Sequence, residues 1–246
     1  MPPGPPRAAH FSPWGLLVTA CAAVLGVVAL GLLIWALASS QERSVSYSVR
    51  GAPAGVTLDL GGADVEVLGG GRATAVAVSH VDRFGFGHGP VADRSIGDGM
   101  FSVRSRCPRT MLRGCSVRYR VVVPDNVPLS IRTTSGSVSF SGYRGSARIE
   151  TDGGDIAIAG FCGFSLQARA EGGGNITATT ACPPPQLSLR TTTGAVRARV
   201  PGGRYRIDAS TSGAAPLIRG LTADSGAPFA IQAVSGSGAV SVERGS

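Results

Sequence analysis

The sequence predicts an all-β domain, built as a β-solenoid-like repeat (alternative: a β-sandwich) and preceded by one transmembrane helix. Three observations carry this. An apolar run near the N-terminus is long enough to cross a membrane, the rest is written in strand-forming and turn-forming residues, and one short pattern recurs about every 20 residues. Of 246 residues, glycine (36) and proline (16) make up about a fifth, while aromatics are 6% and charged residues 15%. With 43% apolar residues the chain is too hydrophobic for disorder, and its glycines lack the three-residue period of collagen. Lysine is absent, so every basic side chain is arginine, with a formal net charge of +8. Schiff-base and P-loop lysine chemistry are thereby excluded.

Residues 1–14 form a Pro-rich tail, expected on the cytoplasmic side. Residues 15–38, GLLVTACAAVLGVVALGLLIWALA, carry no charge. At 1.5 Å per residue they reach about 36 Å, against a hydrocarbon core of roughly 30 Å. Trp14 and Trp35 lie near its ends, where indoles favour the headgroup boundary. A cleaved signal peptide is the alternative, since Ala36-Leu37-Ala38 resembles a small-x-small cleavage site. The run exceeds a signal h-region, however, and only Arg7 precedes it as a formal charge. Residues 39–50 read as a polar linker and 51–246 as the β-repeat domain.

Within that domain four segments align: LSIRTTSGSVSF from Leu129, ARIETDGGDIAI from Ala147, ARAEGGGNITA from Ala168 and LSLRTTTGAVRARV from Leu187. Their turn glycines, Gly136, Gly154, Gly174 and Gly194, are 18, 20 and 20 residues apart. Weaker copies start at Val56, Tyr205 and Phe229. Each has an alternating stretch with one inward face, a small-residue turn where glycine permits a positive φ, and a second alternating stretch. One unit cannot bury its own apolar face, whereas stacked copies can. A sandwich of successive hairpins would show similar alternation; the near-constant period favours stacking.

Cys21 falls in the apolar run; Cys107, Cys115, Cys162 and Cys182 remain. An even number in a β-rich domain points to disulfides and an oxidising compartment, so the domain is expected outside the cytoplasm. A four-cysteine zinc site would need tight C-x-x-C knuckles, which are missing. Cys162 and Cys182 each lie eight residues after a turn glycine, Gly154 and Gly174. Equal phase in rungs about 4.8 Å apart suits a disulfide. Cys107 and Cys115 then pair across the loop between them.

The repeated Ser/Thr-x-Gly-x-Val/Ile turn with its following strand resembles the bacterial putative-adhesin family of β-strand-repeat proteins. The resemblance covers about residues 50–245 and is clearest from Leu129 to Val242. It implies an all-β repeat domain, often membrane-anchored, with no catalytic residues to carry over. The cysteines and residues 79–115 depart from the family pattern.

Arg104, Arg106, Arg109, Arg113, Arg118 and Arg120 lie between Asp98 and Asp125 with no acid among them. Arginine suits bidentate recognition of phosphate and carboxylate, so these residues are candidate anion-binding groups for envelope polymers or lipid headgroups. Nucleic acid is not an expected partner of an extracytoplasmic domain. Asp152, Asp155, Glu171 and Asn175 cluster at turns, but the position after the turn glycine reads Ser137, Asp155, Asn175, Ala195, which is no unbroken ligand series. His80, Asp82 and His88 surround a Gly-rich stretch that reads as a surface loop with incidental polar residues. No catalytic residue, metal site or cofactor is expected. The reading is a non-catalytic, single-pass envelope protein with a binding or structural role. Its rivals are a regulatory partner of another membrane protein and a polysaccharide-active β-helix enzyme, whose mark would be acids converging in one cleft.

Overall fold

A computed structural model describes residues 13–38, 41–51, 53–85, 89–108 and 114–245. Helix α1 (Pro13–Ala38) contains an apolar span, Leu17–Trp35, of mean hydropathy 2.7. It is long and apolar enough to cross a membrane, a property that signal sequences share.

Among the described residues, every element after α1 is a β-strand. Strands β1 (Gln41–Arg50), β2 (Gly55–Leu60), β3 (Asp64–Gly69), β4 (Ala75–Phe84), β5 (Val91–Gly97), β6 (Met100–Arg106) and β7 (Cys115–Val123) come first. The regular copies supply β8 (Leu129–Thr133), β9 (Val138–Ser141), β10 (Ala147–Thr151), β11 (Ile156–Phe161), β12 (Ser165–Ala170), β13 (Ile176–Thr180), β14 (Gln186–Thr191) and β15 (Val196–Val200). Last come β16 (Arg204–Thr211), β17 (Leu217–Arg219), β18 (Thr222–Ala223), β19 (Ala230–Ser235) and β20 (Val240–Arg244).

These strands make two sheets in a sandwich-like arrangement. Sheet I runs β1-β4-β7-β3-β9-β11-β13-β15-β20-β17, and sheet II runs β18-β16-β19-β14-β12-β10-β8-β2-β6-β5. Each regular copy puts its first strand in sheet II and its second in sheet I, and successive copies pair in parallel. A sandwich of successive hairpins would instead pair neighbours antiparallel. The register lines up the alternating apolar residues as columns. Leu129, Ala147, Leu166, Leu187 and Ile231 form one in sheet II; Val138, Ile156, Ile176, Val196 and Val240 form one in sheet I. All ten side chains are at most 5% exposed. Each larger one contributes about 1.5–3 kcal/mol by leaving water.

Chain order and stacking order part company at both ends. Strands β19 and β20 insert between the β14/β15 copy and the β16/β17 strands, so that β17 ends sheet I and β16 has only the short β18 beyond it in sheet II. At the other end, β2 and β3 lie between β8/β9 and β6/β7. Residues 41–50, read as a linker, form β1, which pairs antiparallel with β4 from Gln41↔Phe84 to Arg50↔Ala75.

The turn glycines have a role other than the expected one. Gly136, Gly154 and Gly194 do not have positive φ; of these four aligned glycines only Gly174 does, at 133°, while Gly142 just after β9 and Gly160 at the register shift within β11 have φ of 66° and 65°. What the repeat turns require is close approach. A Cβ on Gly154 would sit 2.2 Å from the carbonyl oxygen of Gly136, one on Gly174 2.3 Å from that of Gly154, and one on Gly194 1.8 Å from that of Gly174. The glycines stack directly on one another.

Hydroxyls seal the same turns. Thr191 Oγ1 donates to the Gly174 carbonyl at 2.9 Å and accepts the Gly194 amide at 3.3 Å; Ser235 does the same toward Gly194 and Gly238. Each therefore satisfies backbone groups of two successive copies.

Candidate anion-binding face

Strand alternation decides which arginines can act together. Arg104 and Arg106 lie on the outer face of β6 in sheet II, where both reach Asp59 Oδ2 at 3.3 Å. Arg118 and Arg120 lie on the outer face of β7 in sheet I; Arg120 is 3.7 Å from Glu66. The chain between β6 and β7 crosses from one sheet to the other, so these four do not form one patch. Arg109 and Arg113 lie outside the described residues. The expected single cluster is thus divided between opposite faces.

A different set converges. Register places Asp59, Arg132, Glu150, Arg169 and Arg190 in one column on the outer face of sheet II. At a rung spacing of about 4.8 Å, neighbouring guanidinium groups can engage one multivalent anion. Arg148, on the next column, is 2.7 Å from Glu150, and Arg169 is 3.5 Å from Glu171. Among the described residues Arg132 and Arg190 have no carboxylate within 4.0 Å; Arg190 touches only the Gln232 amide oxygen at 3.4 Å. A shallow groove here is lined by Arg148, Glu150, Gln167, Arg169, Ser188 and Arg190. The sequence signal was the equal phase of Arg132, Glu150, Arg169 and Arg190 in the four copies, which a search for local clustering overlooks.

The acidic turn residues have a structural task. Asp155 Oδ1 accepts the Asn175 amide at 2.7 Å, Asn175 Oδ1 accepts the Ala195 amide at 3.0 Å, and Asp64 Oδ1 accepts the Ser137 amide at 3.0 Å. These side chains bind a backbone N–H of the following copy instead of facing a common cleft.

His80 and Asp82 are not loop residues. Both are on β4, two apart and so on the same inward face, and each is 4% exposed. His80 Nδ1 lies 2.8 Å from Asp82 Oδ1, and Nε2 has no hydrogen-bond partner among the described residues. The imidazole packs 5.0 Å from the Tyr119 ring, and Tyr47 carries the Arg94 guanidinium 3.9 Å above its face. Burial pushes the Tyr47 hydroxyl up to about 12, with the Arg94 charge opposing and Tyr119 adding to the rise. Burial likewise raises Tyr119, Tyr143 and Tyr205. His88 lies outside the described residues.

The cysteines fall into two pairs at disulfide distance. Cys162 and Cys182 follow β11 and β13 in adjacent copies, with Cα atoms 5.1 Å apart and Sγ atoms 1.99 Å apart. Cys107 and Cys115 tie the end of β6 to the start of β7, with Cα atoms 5.8 Å apart and Sγ atoms 1.96 Å apart. Cys21 is a free, exposed thiol on α1.

No protein-family model matches this chain, and no curated protein matches it. Solved bacterial structures do. A putative lipid binding protein from Parabacteroides distasonis ATCC 8503 is similar over 83% of this chain and 97% of its own, at 10% identity and a TM-score of 0.31. A putative adhesin from Bacteroides fragilis NCTC 9343 is similar over 83% and 97%, at 11% identity and a TM-score of 0.31. A putative cell adhesion protein from Clostridium sporogenes ATCC 15579 is similar over 83% of this chain and all of its own, at 10% identity and a TM-score of 0.42.

Proposed function

We propose that this chain is a non-catalytic, membrane-anchored envelope protein whose arginine-rich sheet II face binds anionic groups outside the cytoplasm. In this reading residues 15–38 are the anchor, residues 1–14 are cytoplasmic, and the β domain is a solenoid of two-strand coils held by both disulfides. The observation that carries it is the column in which Arg169 and Arg190 are neighbours at rung spacing, with Arg148 beside them and Arg132 beyond Glu150, all on one outer face. The common chemistry of its ligand is a repeating phosphate or carboxylate, in a wall polymer or in lipid headgroups. Such contacts are screened over about 8 Å at physiological ionic strength, so binding is salt-dependent.

The test uses the full chain in neutral-lipid nanodiscs, offered a soluble polyglycerol phosphate or anionic vesicles at low and high salt. Combined Arg132→Ser, Arg169→Ser and Arg190→Ser substitution is expected to abolish low-salt binding, while Arg118→Ser with Arg120→Ser on the other sheet leaves it. Binding to polymer alone or to vesicles alone identifies the source of the anion. Equal binding by wild type and the triple variant refutes the proposal.

A further inference from the structure

We propose that the open end of the stack at β1 is an interface for a second copy of this chain, joined strand to strand across a two-fold axis at Ser46. Strand β1 is the terminal strand of sheet I and, among the described residues, pairs on one side only, with β4. Its ten residues leave a full row of backbone donors and acceptors on the other side, a template for another strand.

Among the described residues, the core beneath this end is also incompletely covered. Val45, Tyr47 and Val49 are on the inward face of β1 yet only partly buried. Across from them, Ile96 of edge strand β5 pairs with buried Phe101, so it shares the core-facing side, but is 68% exposed. Arg94, on the same face of β5, closes the gap over Tyr47 only in part.

Self-pairing of β1 is constrained in register. A two-fold axis normal to the sheet keeps inward residues inward only if opposed residues are both odd or both even. Among such registers, the one centred on Ser46 alone sets Glu42 opposite Arg50, twice by symmetry. It also sets Val45 opposite Tyr47 on the core side, Arg43 opposite Val49, and Ser44 opposite Ser48 on the outer side. Glu42 and Arg50 are both exposed; Glu42 meets Arg83 of its own strand pair at 2.9 Å, leaving its other flank for the neighbour. The two Gln41 residues then stand about 34 Å apart, ten strand rises. Two α1 helices starting from those points need not touch, so the contact belongs to the β domain and is independent of the anion-binding reading.

The experiment is oxidative crosslinking of the full chain in membranes, in a Cys21→Ser background. Ser46→Cys is expected to give a disulfide-linked dimer on a non-reducing gel, because residues at the axis lie about 5 Å apart. Thr177→Cys, exposed on the outer face of β13, is expected to give none. Adding Glu42→Arg to Ser46→Cys should weaken association roughly tenfold, since two attractive pairs become repulsive. Adding Arg50→Glu as well should restore it, although the Arg83 contact stays broken, which separates the intermolecular pair from the internal one. A Ser46→Cys chain that stays monomeric, links to another protein, or links no better than Thr177→Cys overturns the proposal, as does failure of the charge swap to restore dimer.

Discussion

Gly154→Ala places a methyl group against the backbone of the preceding copy. The new Cβ would lie 2.2 Å from the Gly136 carbonyl oxygen and 2.8 Å from its carbon. Ordinary contact needs roughly 1 Å or more of extra room. That room must come from separating two copies held by Val138 N–H to Asp155 O at 2.9 Å and Asp152 N–H to Thr133 O at 3.1 Å. Overpacking costs about 1–3 kcal/mol and a weakened backbone bond about 1 kcal/mol more, so the loss is about 2–4 kcal/mol. For a domain near 200 residues this lowers Tm by roughly 5–15 °C. Gly153→Ala is the matched comparison: its nearest contact is the Thr134 carbonyl at 3.7 Å and its φ is not positive, so Tm should hold or rise slightly. Thermal unfolding of the full chain in detergent, followed by circular dichroism at strand wavelengths, reads both. Equal losses at the two positions, or no loss at Gly154, would refute the stacked-glycine argument.

Thr191→Val orphans the Gly174 carbonyl and the Gly194 amide, a loss of about 1–3 kcal/mol. Thr151→Val, at the same phase but with a buried hydroxyl that has no partner among the described residues, should be near neutral; denaturant midpoints that fall equally refute the distinction. Serine at both Cys162 and Cys182 opens a bridge spanning 20 residues, worth roughly 3 kcal/mol. The fold should persist at lower Tm, and non-reducing peptide maps showing free thiols in oxidised wild type refute the pairing. All four tyrosines are raised by burial, so their neutral forms are favoured by folding. That contribution is complete below the unfolded value near 10 and is lost as pH rises, through about 12 for Tyr47. Phenolate absorbance should therefore appear only with alkaline unfolding; four tyrosines ionising near pH 10 in an intact fold would contradict this.

The regular middle of the domain was legible because copies such as LSIRTTSGSVSF bury alternate residues on one face and repeat the turn at constant phase. Which copies touch was not legible. The Leu187 copy pairs with the Phe229 copy instead of the adjacent Tyr205 copy, and all three present the same alternating apolar side. Local pattern cannot rank equivalent partners. Strand β1 was missed because a half-covered edge keeps only Val45, Tyr47 and Val49 as its apolar alternation among polar residues. His80 and Asp82 sit two apart, the strand period, but polar identity hid their inward face. The local arginine cluster misled because β6 and β7 belong to different sheets, which nothing in the intervening loop announces.

The insertion of β19/β20 between older neighbours bears on how the chain is made. Residues 129–200 can add in the order in which they leave the ribosome or the translocon, each copy docking on the last. Residues 204–219 cannot, because β16 and β17 dock on strands that emerge later. They must wait unsupported until residues 230–244 arrive. Completion is therefore a closing step gated by the end of the chain, and until it occurs the stack presents a raw parallel edge at β14 and β15. A chain shortened before residue 230 would lose two rungs, and would emerge with that edge exposed to proteases and to sister chains.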